Sequence, residues 1–156
     1  MKNHYHVYIA SPFFNPEQLD RVERVKAILE NNGLTYYSPK DEAVVAPDAD
    51  HDWREKVFAD NCLAIQRADF VFAITDGKDP GTLWEAGYAF GINKPIVYLA
   101  ETLGPNGQFN LMLAQSGVAA FTELDRANKY LEDSVKYENG IINMRFTQTA
   151  FEGLIE

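Results

Sequence analysis

Two acids six residues apart are the best-placed chemical groups in this sequence: Asp79 and Glu85, in Asp79-Pro-Gly-Thr-Leu-Trp-Glu85-Ala-Gly-Tyr88. They follow Phe70 to Ile74, a run apolar on both faces, as a strand in the middle of a covered parallel sheet is. The polar turn Asp76 to Gly81 then leads into a helix expected over Thr82 to Ile92, stopped by Asn93. With Thr82 as N-cap, Glu85 falls at N3, and Thr-x-x-Glu is a capping box worth about 1 kcal/mol. The second reading is catalytic. Two carboxylates at one sheet edge suit glycosyl chemistry, in which one attacks or stabilises an oxocarbenium-like carbon and the other orients the sugar or handles protons. A nucleophilic glutamate must be ionised; a helix N-terminus favours that by up to about 1 kcal/mol, against the cost of burial among aromatics. The local pattern leaves both readings open.

Ser11-Pro12-Phe13-Phe14 supplies a second set of candidates. Two adjacent aromatics straight after a strand either seal the core or offer a face on which a flat ligand stacks. Tyr8, on the strand before them, either reaches the same edge with its hydroxyl or is a core tyrosine satisfied by a backbone carbonyl. Other site types are missing from the sequence. There is no Gly-x-Gly-x-x-Gly after the first strand, no Walker lysine-serine pair and no Gly-x-Ser-x-Gly elbow. The three histidines, His4, His6 and His51, form no helical His-x-x-x-His pair, and a solvated surface suits them better than a metal. Neither a metal nor a cofactor is expected.

The elements that must position these residues alternate. Strands are expected at Tyr5 to Ala10, Leu34 to Tyr37, Phe70 to Ile74, Pro95 to Ala100 and Val118 to Phe121. Between them lie helices. The first is capped by Asn15, with Pro16 at N1 and Gln18 closing a box, and Asn32-Gly33 stops it. An acidic loop over 40 to 52 precedes a helix from Asp52 to Arg67 with Trp53, Val57, Ala64 and Ile65 inward. A short helix is expected at Phe109 to Gln115, another from Glu123 to Val135 capped by Thr122, and a last helical stretch from Ile141 to Glu156. This β-α alternation predicts right-handed crossovers and one parallel sheet. Ligands bind such sheets at the carboxyl ends of the strands, which selects Ser11 to Phe14, Ser38 to Glu42 and Asp76 to Glu85.

The 156 residues fit a single domain, 1–156, with a core needing no staples. A formal charge of −9 repels a phosphate backbone and an anionic membrane surface, so neither nucleic acid nor a membrane is an expected partner. One cysteine, Cys62, allows no internal disulfide, and the N-terminus carries no long apolar run, so a cytoplasmic location is expected.

Tyr8-Ile9-Ala10-Ser11-Pro12-Phe13-Phe14 resembles the opening of the nucleoside 2-deoxyribosyltransferases. Asp79-x-Gly81-Thr82-x-x-Glu85-x-Gly87-Tyr88-Ala89 is similar to their catalytic segment, and Asn110-Leu111-Met112 to their late Asn-Leu-Met motif. With Ser38-Pro39 and Ile65…Ala68-Asp69, the resemblance covers about residues 5 to 115. It implies a flavodoxin-like (Rossmann-like) five-stranded parallel sheet with helices on both faces. It also implies transfer of the deoxyribosyl group of a 2'-deoxynucleoside to another free nucleobase, as in nucleobase salvage. Carried over, Glu85 attacks C1' and forms a covalent deoxyribosyl ester that a second base displaces with net retention. Asp79 holds a sugar hydroxyl, Tyr8 positions Glu85, and Phe13 or Phe14 flanks the base. Ser11, Pro12, Gly81 and Met112 complete the substrate-binding set. Asn110 reaches a neighbouring subunit's site, which implies a homo-oligomer; read from its own position alone, Asn110 is a polar helix cap. Where many relatives carry Asn-Asp, this sequence has Asp60-Asn61, so an amide stands where a carboxylate would touch the base. The Asp41-Glu42 pair after Ser38-Pro39 is a further candidate for base contact. Two other readings stand beside transfer: an N-hydrolase acting on deoxynucleosides or their 5'-phosphates, and a non-catalytic nucleotide-binding module on the same fold.

Overall fold

The computed structural model describes residues 4–42 and 45–156. In chain order the first half comprises β1 (Tyr5–Ala10), α1 (Pro16–Asn31), β2 (Tyr36–Tyr37), α2 (Pro39–Glu42), α3 (His51–Arg67) and β3 (Ala68–Ile74). The second half comprises α4 (Pro80–Gly91), β4 (Ile96–Leu99), β5 (Gln108–Phe109), α5 (Leu111–Ser116), β6 (Ala119–Phe121), α6 (Leu124–Ser134), β7 (Val135–Glu138), β8 (Ile141–Met144) and β9 (Leu154–Ile155). Five strands form a parallel sheet in the order β2-β1-β3-β4-β6. This is a flavodoxin-like arrangement, in which the chain reverses direction of growth between β1 and β3.

Each face of the sheet is covered. Val7, Ile9, Phe70, Phe72, Val97 and Leu99 pack with Val22, Val25 and Leu29 of α1 and Ala127 and Leu131 of α6. On the other face Tyr8, Ala10, Val71, Ala73 and Tyr98 meet Ala64 and Ile65 of α3 and Ala86 and Ala89 of α4. Ala10, Ala73, Ala86 and Ala89 pack together on this second face, where α4 carries Glu85.

The helix ends follow from their cap residues. Asn15 accepts from the Gln18 amide at 2.9 Å, while the Gln18 side chain reaches one residue further back than expected, to the Phe14 amide at 2.7 Å. At the other end Gly33 takes φ +72, and the Gly33 and Leu34 amides bond Glu30 and Leu29; a side chain would strain that left-handed turn.

Three expectations are corrected. The stretch after Ile141 is not helical: Asn139 and Gly140 have φ +52 and +76 and turn β7 onto β8 as an antiparallel hairpin. Asn-Gly is a hairpin turn as readily as a helix stop, and the flanking Val135 and Ile141-Ile142 favour strand. The remaining tail runs extended, with the Thr149 amide on the Val118 carbonyl and β9 paired to β5. The acidic loop opens with a helical turn, α2; Ala43 and Val44, also within that expected loop, lie outside the described residues. Trp53 is not inward but 40% exposed, with the Lys56 ammonium over its ring. Smaller shifts complete the comparison: α5 starts at Leu111 because Asn110 caps it, and α6 starts after Glu123, with no side-chain cap. Among the described residues no helix is long and apolar enough to cross a membrane.

Candidate active site

The carboxyl ends of β1 and β3 open onto a cleft of about 570 Å³, lined among others by Ser11, Phe13, Phe14, Asn61, Asp79 and Glu85. This is the size range of small-ligand sites. A neighbouring hollow of about 300 Å³ shares Asn61, Gly81 and Glu85 and adds Phe58, Cys62 and Trp84.

The most informative correction concerns how Glu85 gets there. Thr82 is not the N-cap of α4. Asp79 is: its Oδ2 accepts from the Thr82 amide at 2.8 Å and from the Thr82 hydroxyl at 3.1 Å, with Pro80 at N1. Proline suits that position because its ring presets φ and its missing N–H would have had no partner. Glu85 therefore lies a full turn further in, and its side chain is not spent on capping. The dipole also matters less there, because it fades within the first turn.

Glu85 instead pairs with Tyr8. The Tyr8 hydroxyl donates to Glu85 Oε1 at 2.8 Å from a wholly buried ring. Burial is the largest influence on the Glu85 carboxyl and, with the nearby Asp79 carboxylate, pushes it up to about 7; the Tyr8 hydrogen bond pulls the other way. Burial and the Glu85 charge together hold the Tyr8 phenol well above its ordinary range, so it stays a donor.

This carries a stability consequence. The folded state holds the Glu85 proton more tightly than the unfolded chain, whose carboxyl keeps its ordinary 4.5. Stability is lost as pH rises from about 4.5 and the loss is complete above about 7, where it reaches about 3 kcal/mol. Glu85→Gln, which keeps an acceptor for Tyr8, is expected to melt several degrees higher than the unchanged chain at pH 8. At pH 4.5 the two should melt together. Calorimetry at the two pH values checks this; a lower melting point for the variant at pH 8 would contradict a strained, buried carboxylate.

The aromatics separate. Phe14 is 74% exposed, so it does not seal the core; Phe13 is half-buried, and their rings lie 5.0 Å apart at the cleft wall. Pro12 is buried behind them, and the Ser11 hydroxyl is spent on the Pro12 carbonyl at 2.8 Å. At Gly81 a Cβ would stand 3.2 Å from Asp79 Oδ2, close enough that the capping carboxylate would have to give slightly.

Besides the buried Pro12, other expected substrate-binding residues do not line this cleft. Asp41 pairs with the Lys26 ammonium at 2.7 Å and does not line it. Asn110 caps α5, its Oδ1 accepting from Met112 and Leu113 at 3.0 and 3.3 Å. It lines a separate cleft of about 420 Å³ with Asp76, Lys78 and Glu156. Met112 projects outward, 74% exposed.

Sequence reasoning overlooked Tyr37, whose hydroxyl donates to Asn61 Oδ1 at 3.0 Å. Its signal was its place immediately before Ser38-Pro39, at the ligand edge of β2. Cys62 lies near enough for the Glu85 charge, after burial, to raise its thiol. At the opposite, amino edge, ligand atoms of His4, His6 and Asp69 gather within 4.8 Å of one another, and His4 Nε2 lies 2.9 Å from Asp69 Oδ1.

The fold and the carboxyl edge define a class: a doubly wound α/β protein with a half-buried glutamate at its ligand cleft, bonded to a buried tyrosine. Residues 7–141 match the family model for nucleoside 2-deoxyribosyltransferase. The nucleoside deoxyribosyltransferase of Limosilactobacillus fermentum is 30% identical over 132 residues, 75% of this chain and 78% of that protein. The solved 2-deoxyribosyltransferase from the psychrotolerant bacterium Bacillus psychrosaccharolyticus is 32% identical with a TM-score of 0.70, over 80% of this chain and 90% of that one. A CMP N-glycosidase from Clostridium botulinum, 22% identical with a TM-score of 0.52 over 81% of this chain and 96% of that one, shares the fold. The chain belongs to the nucleoside 2-deoxyribosyltransferase family and is an enzyme of that type.

Proposed function

We propose that the protein moves the 2-deoxyribosyl group of a 2'-deoxynucleoside to a free nucleobase by retaining double displacement, with Glu85 as the nucleophile. The observation that carries this is the Tyr8–Glu85 pair: a carboxyl at the cleft, free of any capping duty, oriented by a buried hydroxyl at 2.8 Å. Glu85 attacks C1' from the face opposite the base. The departing base leaves a deoxyribosyl ester, and a second base displaces Glu85 with net retention. A 2'-deoxy sugar lacks the electron-withdrawing hydroxyl that would oppose positive character at C1', so ribonucleosides are poorer donors.

Asp79 serves twice in this reading. One oxygen, Oδ2, holds the start of α4, and its carboxylate fixes a sugar hydroxyl at the cleft. Phe13 and Phe14 flank the base. Asn110 and Met112, which do not line their own Glu85 cleft, complete the site of a second copy in this reading, so the working form is a homo-oligomer. Neither metal nor cofactor has a step in this mechanism. The described residues lining the Glu85 cleft include no lysine or arginine, which favours nucleosides over their 5'-phosphates.

Incubating the protein with deoxyinosine or thymidine plus adenine or cytosine tests the reading, with chromatography to detect a new deoxynucleoside. Free base released at the same rate without an acceptor, and no new nucleoside, would mean a hydrolase.

Tyr8→Phe isolates the positioning hydroxyl. Losing a bond that lowers the Glu85 pKa raises it above about 7, so the ascending limb of kcat/KM should move to higher pH. Because the carboxylate is the reactive form, activity at neutral pH falls and partly recovers at pH 9. A rate that drops equally at every pH would assign Tyr8 to packing alone.

A further inference from the structure

We infer that Asn61 meets the leaving base as a fixed hydrogen-bond donor that gives it no proton, so that this chain selects deoxynucleosides whose base departs readily as an anion. The inference rests on the transferase reading above and adds a substrate class to it.

Two tyrosines carry the argument. Tyr8 and Tyr37 are register partners on β1 and β2, and their rings stack 5.5 Å apart at 12°. Each ends in a hydroxyl aimed at a cleft residue: Tyr8 donates to Glu85 at 2.8 Å and Tyr37 to Asn61 Oδ1 at 3.0 Å. One stacked pair therefore holds both the proposed nucleophile and the Asn61 amide, which line the same cleft. A side-chain amide has one acceptor oxygen and two N–H donors. Tyr37 takes one of the two lone pairs of that oxygen and anchors it, and the NH2, which has no partner among the described residues, is the group left to donate to a ligand. It can donate to a ring nitrogen or carbonyl oxygen of a base.

It cannot lend a proton, because an amide is not an acid in the working range of an enzyme. The charges of Glu42 and Asp60 reach the Tyr37 hydroxyl, but neither residue lines the cleft, and Asp60 is bonded to Lys56 as Asp41 is to Lys26. Glu85 is committed to C1' on the far face of the sugar, and Asp79 to Thr82 and a sugar hydroxyl.

A Glu85 carboxylate oxygen bonds C1', the C1'–N bond breaks, and its electron pair stays on the base nitrogen. The base leaves as an anion held by the Asn61 N–H groups and takes a proton from water afterwards. In the second half the acceptor base loses its ring N–H proton to water, its nitrogen bonds C1', and Glu85 returns as carboxylate. One proton is taken up and one released per transfer.

Bases whose ring carbonyls delocalise the negative charge, such as hypoxanthine, uracil and thymine, suit this route. Cytosine, which leaves best when protonated, does not. A carboxylic acid at position 61 would relax that restriction by protonating the base in the transition state.

Initial rates with deoxyinosine, thymidine and deoxycytidine as donors, against one common acceptor, test this in the unchanged chain, Asn61→Asp and Tyr37→Phe. The unchanged chain should favour deoxyinosine and thymidine over deoxycytidine by at least about tenfold in kcat/KM. Asn61→Asp should shrink that ratio about tenfold by raising deoxycytidine use. Tyr37→Phe, which frees the amide to turn its oxygen toward the ligand, should lower the use of oxo-bases while the Glu85 adduct still forms. Transfer with a flat donor profile, or a profile untouched by Asn61→Asp, overturns this inference and leaves the transferase reading standing. No transfer from any donor by the unchanged chain overturns both.

Discussion

Replacing Glu85 by alanine is expected to stop base exchange, with a loss on the order of 10³-fold or more, while the protein stays folded. The size follows from the role. A group that forms and breaks a bond to C1' has no neighbour able to take over: Asp79 is held by Thr82, and Cys62 carries a thiol raised by its surroundings rather than a ready thiolate. The fold should survive because Glu85 contributes a buried charge at a cost, not an apolar contact. Glu85→Gln separates shape from charge. It fills the same space and accepts the same Tyr8 hydrogen bond, yet should be as inactive as the alanine variant. Activity retained in either variant, measured as new deoxynucleoside formed, would remove Glu85 from its assigned place.

The second large effect belongs to Asp79, where structure and chemistry can be pulled apart. Asp79→Ala loses the N-cap of α4, worth about 1 kcal/mol, together with the sugar contact. Its kcat/KM should fall on the order of 10²-fold, the scale on which misplacing a substrate costs rate. Asp79→Asn keeps the cap, because asparagine caps as well as aspartate does. It removes the charge that helps raise the Glu85 pKa, so the ascending limb of its pH profile should move below about 7. Rate above that limb should still fall, about tenfold, because a charged hydrogen bond to a sugar hydroxyl has become a neutral one. If the asparagine variant matches the unchanged chain at every pH and only the alanine variant is impaired, Asp79 is a cap and nothing more.

How much of this was legible in the sequence depends on the range of the interactions. The alternation of elements was, because each strand and helix announces itself within about ten residues: Asn15-Pro16, Asn32-Gly33 and Asn93 punctuate it locally. The C-terminal stretch was misread because Asn139-Gly140 serves a hairpin as well as a helix end, and only the partner strand decides. The cap of α4 was misplaced by three residues because Asp79-Pro80 and Thr82-x-x-Glu85 are competing signals. Proline at N1 and a doubly engaged Asp79 won. That outcome also changes the sign of the electrostatics. A first-turn glutamate would have been helped by the helix N-terminus, whereas one turn deeper burial dominates and raises its pKa. The Tyr37–Asn61 bond spans 24 residues and the Tyr8–Glu85 bond 77, and neither distance can be read from spacing. Resemblance to a family pointed to Tyr8, whereas only its place before Ser38-Pro39 marked Tyr37.

The central claim is a covalent bond between Glu85 and the sugar. A deoxynucleoside analogue carrying fluorine at the 2' position slows both half-reactions by destabilising positive charge at C1', and with a good leaving base the ester accumulates. Proteolysis and mass spectrometry of the trapped protein should find one added sugar on the peptide that contains Glu85, discharged by adding free base. A sugar mapped to any other residue, or no adduct while turnover proceeds, would contradict the account.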